Sequence, residues 1–125
     1  LIIGYPWETL DSLAEFQNKI TILPADEIRI SYFTPFPGSP AYEEYKNLLV
    51  TKDWSKFNAI RDIVIANNNG ISADTLAETR INAFRNYYGS KERRKRISDK
   101  INKFPEFKDS FHEFEMFLKD AKVVE

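Results

Sequence analysis

A chain of 125 residues, 42% hydrophobic and 14% aromatic, has apolar mass enough for one domain with a modest core, which excludes a disordered polypeptide. Its 18 basic and 19 acidic residues nearly cancel, which removes the electrostatic case for nucleic acid or an anionic membrane as partner. The absence of cysteine excludes disulfides, thiolate zinc sites and any iron–sulfur cluster bound by this segment itself.

Leu1-Ile2-Ile3 reads as the end of a buried strand. A strand at residue 1 with no initiator Met leads to the expectation of a piece of a longer protein. Gly4-Tyr5-Pro6-Trp7-Glu8-Thr9 then makes a stiff turn, and Thr9 or Asp11 caps a helix over residues 10–22. Leu10, Leu13, Phe16, Gln17, Ile20 and Leu23 fall near one face of it. Residues 27–33 alternate, with Ile28, Ile30 and Tyr32 on one side, which marks a second strand. Strand, helix and strand in this order make a βαβ unit with parallel strands. A lone pair of parallel strands leaves edges and faces uncovered, so the N-terminal half reads as a slice of a larger sheet.

Thr34-Pro35-Phe36-Pro37-Gly38-Ser39-Pro40 is a second proline-rich turn at a strand exit. A short helix follows over residues 40–49, and another is expected from Trp54 to Asn68, ended by Asn67-Asn68-Asn69-Gly70. Ser72 caps the next helix and Gly89 ends it, and Ser90 opens a charged helix running to Lys103 with Ile97 and Ile101 inward. Pro105 breaks the chain before a last helix with Phe107, Phe111, Phe114, Leu118 and Ala121 on one stripe. The expected organisation is α/β over residues 1–50 and all-helical over residues 51–125. No transmembrane run or secretory signal is present, so a cytoplasmic location without a membrane partner is expected.

The two proline turns are where chemistry would sit, because exits from the carboxyl ends of parallel strands build the ligand sites of α/β folds. Gly4 would let a ligand approach the main chain, and Glu8 would complement the N-terminal end of the helix dipole. On residue chemistry alone, the favoured reading of both turns is a rigid structural corner. Lys91-Glu92-Arg93-Arg94-Lys95-Arg96 reads as a solvated helix face, paired in part with Glu92, Asp99 and nearby acids, rather than a phosphate contact. His112, the single histidine, reads as a surface residue and cannot build a His-rich metal site.

At the two turns the sequence resembles the second half of a radical S-adenosylmethionine (SAM) domain, of the class often joined to a cobalamin-binding domain. Members of that class include anaerobic magnesium-protoporphyrin IX monomethyl ester oxidative cyclases. Gly4-Tyr5-Pro6-Trp7-Glu8-Thr9 is similar to a Gly-Leu-Pro-Gly-Glu-Thr stretch after the fifth barrel strand. Thr34-Pro35-Phe36-Pro37-Gly38-Ser39-Pro40 is similar to Thr-Pro-Tyr-Pro-Gly-Thr-Pro after the sixth. Asp53-Trp54 with Phe57-Asn58 falls where the family has an Asp-Trp followed by an aromatic.

The resemblance implies a fragment of a partial (β/α)6 TIM-like barrel that binds SAM and a [4Fe-4S] cluster in the intact protein, with cobalamin as an optional further cofactor. It implies reductive SAM cleavage followed by radical oxidation, cyclisation or methyl transfer on a small-molecule substrate, tetrapyrrole-like in the cyclases. Ile2, Gly4, Glu8, Thr34 and Pro35 are its implied SAM-neighbourhood positions. The chain departs from the family in lacking the Cys-x3-Cys-x2-Cys loop and in carrying Trp7 for the usual Gly. It is therefore expected to be inactive alone, its partner being the missing N-terminal part of the same polypeptide. The competing expectations are a non-catalytic helical interaction module using Phe107, Phe111 and Phe114, and an RNA-binding tail using residues 91–96.

Overall fold

The structure is a computed structural model describing residues 1–120, with residues 113, 114, 117, 118 and 120 described by their backbone alone. Strand β1 (Ile2–Ile3) pairs in parallel with β2 (Ser31–Tyr32), Ile2 opposite Ser31 and Ile3 opposite Tyr32. The pairing extends beyond the strands, because Ser31 N–H donates to the Leu1 carbonyl and Phe33 N–H to that of Ile3. Ile28, Ile30 and Tyr32 are all buried, as their alternation predicts, while Arg29 is exposed. The fold is α/β with helices predominating and one two-stranded sheet among the described residues. Two strands make no barrel; the observed element is the βαβ unit alone.

Helix α1 (Leu10–Ile20) starts where Thr9 and Ser12 exchange hydrogen bonds, each side chain accepting from the other's backbone N–H. Leu13 and Ile20 are buried, but Leu10 is 64% exposed and lies off the apolar face assigned to it. Helix α2 (Pro40–Tyr45) starts at Ser39, whose hydroxyl accepts from Tyr42 N–H, with Pro40 in the first turn, where its missing N–H costs nothing. A 3-10 turn over Lys46–Leu48 continues it.

The helix expected over Trp54 to Asn68 is not there. Only Trp54–Lys56 forms a 3-10 turn, and the chain then bends over residues 59–61 before running without helix to Ala66. Leu49 and Ile65 form an antiparallel bridge, flanked by bonds from Val50 N–H to Val64 and from Ala66 N–H to Leu48. The reason is local chemistry. The Asn58 side-chain oxygen accepts from the N–H groups of Ile60 and Arg61, which competes with helical bonding. The β-branched run Ile63-Val64-Ile65 then favours an extended chain and buries Val64 and Ile65. Ala59, held at φ +59°, offers its carbonyl to Tyr32 N–H on β2.

Helices α3 (Ala73–Tyr88) and α4 (Lys91–Lys103) start at Ser72 and Ser90 as predicted, each hydroxyl accepting a first-turn N–H. A 3-10 turn at Pro105–Phe107 leads into α5 (Lys108–Asp120). Ile97 is buried, whereas Ile101 is only partly so. On the predicted phenylalanine stripe, Phe107 is half exposed and Phe111 partly buried. The side chains of Phe114 and Leu118, and Ala121 altogether, lie outside the described residues. Among the described residues no helix is long and apolar enough to cross a membrane.

The chain divides into two compact units, one of Leu1–Glu15 with Ile28–Glu78 and one of Phe16–Glu27 with the chain from Thr79 onward. Buried side chains of the first include Ile3, Ile30, Tyr32, Val64, Ile65 and Leu76. In the second, Ile20, Ala83, Phe84, Tyr87, Tyr88 and Ile97 are buried.

The second unit uses the basic run in a way that a solvated face does not. The Arg93 guanidinium lies 3.5 Å from the centre of the Tyr87 ring and donates to the carbonyls of Thr21, Leu23 and Ala25. Tyr87 donates its hydroxyl to the same Ala25 carbonyl. Arg96 and Lys100 both pair with Asp26, at 2.9 and 2.6 Å, and hold its carboxyl below the usual range, the Lys100 hydrogen bond contributing most. Lys91, Glu92, Arg94, Lys95 and Arg96 are nonetheless exposed, as a solvated face predicts, and Lys95 pairs with Asp99 at 2.6 Å. Replacing Arg93 by Ala is expected to cost about 2 kcal/mol in urea unfolding. Arg93→Lys should recover less than half of it, because a point charge cannot bridge three carbonyls.

Candidate functional site

Because β1 and β2 are parallel neighbours, both proline turns leave the sheet at the same end. The first turn is closed by Glu8 N–H donating to the Tyr5 carbonyl at 3.1 Å. The second is closed by Ser39 N–H donating to Phe36 at 3.1 Å, with Pro37 and Gly38 (φ +85°) in its centre. Proline followed by glycine at positive φ is the arrangement of a type II turn.

The five predicted positions fall at this rim with different environments. Ile2 is 49% exposed while its neighbour Ile3 is fully buried, so the sheet has one open and one covered face. Gly4 sits at φ +86°, where a side chain is strained. A Cβ there would point at Leu76 Cδ1, 3.4 Å away, so the space beside Gly4 is filled by the protein's own core. Thr34 donates its hydroxyl to the Tyr32 carbonyl at 3.1 Å, and Pro35 is buried.

Glu8 does not serve the helix N-terminus, which Thr9 caps. Its carboxylate turns back to accept from Gly4 N–H at 2.6 Å. Burial is the largest influence on the carboxyl and raises its pKa above the ordinary value, against the opposing pull of the Gly4 and Tyr5 amides.

What holds the first turn comes from sixty residues away. The Asn67 side-chain amide donates to the carbonyls of Tyr5 and Glu8, at 3.1 and 3.0 Å. The Asn68 backbone N–H donates to the Pro6 carbonyl at 2.7 Å. The Asn69 side-chain amide donates to Trp7 and Glu8, at 3.1 and 2.9 Å. Four consecutive carbonyls are thereby satisfied by three consecutive asparagines. Asn67 also organises its own loop, its side-chain oxygen accepting from Asn69 and Ile71 N–H. The sequence pattern predicts a helix C-cap at these residues, and the structure has them in a loop. The available signal was three side-chain amides in a row after a β-branched run, which suits a loop better than a helix end.

An aromatic cluster stands over the same rim. Tyr5 stacks on Trp7 with ring centres 4.8 Å apart and meets Phe33 at 4.7 Å, and Tyr45 of α2 closes the group against Trp7 and Phe33. Trp7, which stands where the resembling family has Gly, remains 55% exposed. Tyr45 is tied to Glu44, whose carboxylate holds the phenol above its ordinary range. Among the described residues no group of three His, Cys, Asp or Glu side chains could hold a metal ion.

Protein-family models, curated proteins and solved structures offer no match to this chain.

The Glu8 environment sets a pH dependence. A carboxyl whose folded pKa is raised binds its proton more tightly in the folded chain, so its contribution is full below the unfolded pKa and is lost as pH rises through the folded one. Urea unfolding of the native chain should therefore weaken, relative to Glu8→Gln, on going from about pH 4 to about pH 7. Parallel curves for the two chains would show that burial does not control this group.

Proposed function

We propose that this chain supplies the fifth and sixth strands of a radical SAM barrel and part of its SAM-binding rim, within a cytoplasmic Fe–S oxidoreductase or methyltransferase. The observation that carries this reading is the parallel pairing of two strands whose proline-rich exits emerge side by side at one end. The open face around Ile2 supports it, because a barrel slice would present one face to the missing strands.

The fit to the two cofactors differs. No cysteine is present and no described side-chain group suits a metal, so this chain offers nothing to a [4Fe-4S] cluster, whose ligands would belong to the N-terminal part of the polypeptide. For SAM, the rim offers an apolar surface at Ile2 and an exposed aromatic face at Trp7. When bound, SAM supplies the hydrogen-abstracting or methyl-transferring chemistry. The chain's own residues supply position. Glu8 and the asparagine loop fix the first turn, and Pro35 and Pro37 stiffen the second. Substrate, and any use of cobalamin, would be set outside these residues.

The test is SAM binding by the intact polypeptide, purified without oxygen and assayed for iron. The expected result is a cysteine-bound iron–sulfur centre and SAM affinity weakened roughly tenfold by Ile2→Asn, a change on the open face that spares the core. An intact polypeptide without such a centre, or SAM affinity indifferent to Ile2, overturns the reading.

A further inference from the structure

Asn69 is followed by Gly70, and no other asparagine in the chain precedes a glycine. The pair lies in the exposed loop between Ala66 and Ser72, with Gly70 at φ +74° and open space where a Cβ would stand. A glycine after asparagine leaves the backbone nitrogen sterically free to attack the side-chain amide. The carboxamide under attack is the one that donates to the carbonyls of Trp7 and Glu8.

We propose that Asn69 is a deamidation site whose conversion releases the first turn. In the step, the Gly70 backbone nitrogen loses its proton to solvent base and bonds to Asn69 Cγ. The Cγ–Nδ2 bond breaks and ammonia leaves, giving a succinimide. Water then opens either carbonyl of the ring to an aspartyl or isoaspartyl residue. The net change is one water consumed and one ammonia released, with no oxidant or reductant.

The product loses the donor and sets a carboxylate oxygen against two carbonyl oxygens. An acceptor facing acceptors cannot hold the turn. The reaction is also gated by the contact that it destroys. While Asn69 Nδ2 is bound to Trp7 and Glu8, and Gly70 N–H to the Asn67 carbonyl at 3.3 Å, the attacking and leaving atoms are both engaged. The site reacts when the loop lifts, so its rate reports how often the rim opens. This inference stands on the loop geometry and is independent of the cofactor reading above.

The experiment incubates the full chain at mildly alkaline pH and follows the tryptic peptide spanning residues 62–80 by mass spectrometry. The expected result is a gain of about one mass unit confined to Asn69. Gly70→Ala should slow it severalfold, and Glu8→Ala, which loosens the turn, should speed it severalfold. Hydrogen exchange over residues 1–12 should rise at least severalfold in Asn69→Asp, with circular dichroism confirming that the helices persist. The proposal is overturned if the gain appears at other asparagines, if none appears, or if exchange in Asn69→Asp matches the native chain.

Discussion

Four carbonyls in a row, from Tyr5 to Glu8, face three asparagines in a row, and the candidate rim depends on that contact. Pro6 prevents the turn from continuing the strand ladder, and α1 begins too late to absorb its polar groups. Backbone carbonyls left unpaired in a partly buried place carry a full desolvation penalty. Here the donors come from the segment that joins the β-branched run to α3. Glu8 completes the arrangement from the other side by taking the Gly4 N–H. The turn is fixed at both its donors and its acceptors, which gives a strand exit one conformation before any ligand arrives.

The second unit solves the same problem with cations. Residues 21–26 follow α1 without regular structure, and the carbonyls of Thr21, Leu23 and Ala25 are taken by Arg93, Arg96 and Tyr87. A basic run that composition alone assigns to solvent is thus partly internal. Its charge is spent on backbone oxygens and on Asp26, which weakens any reading of residues 91–96 as a nucleic-acid contact. Both units hold their loops through side-chain-to-backbone bonds spanning 59 to 72 residues.

That design explains what was legible in the sequence. The βαβ unit was, because Ile28, Ile30 and Tyr32 alternate and the helix between the strands is periodic. Helix starts at Ser72 and Ser90 were legible because a cap bonds only two or three residues ahead. The segment from Phe57 to Ile71 was not. Its apolar residues suit a helix or a strand equally, and its structure is decided by Asn58, Asn67 and Asn69, whose partners or competitors periodicity does not see. At the rim, the positions of Gly4 and Glu8 were legible but their roles were not. Gly4 answers to φ and to Leu76, and Glu8 answers to Gly4 rather than to the helix.

The functional proposal uses this rim as a preformed half-site, so its foundation is the clamp between residues 5–8 and 67–69. The most direct measurement is a through-hydrogen-bond scalar coupling, by NMR, between the Asn68 amide nitrogen and the Pro6 carbonyl carbon. The account predicts a resolved coupling and an Asn68 amide strongly protected from exchange. No coupling, with Asn68 exchanging as in an unfolded chain, would contradict it.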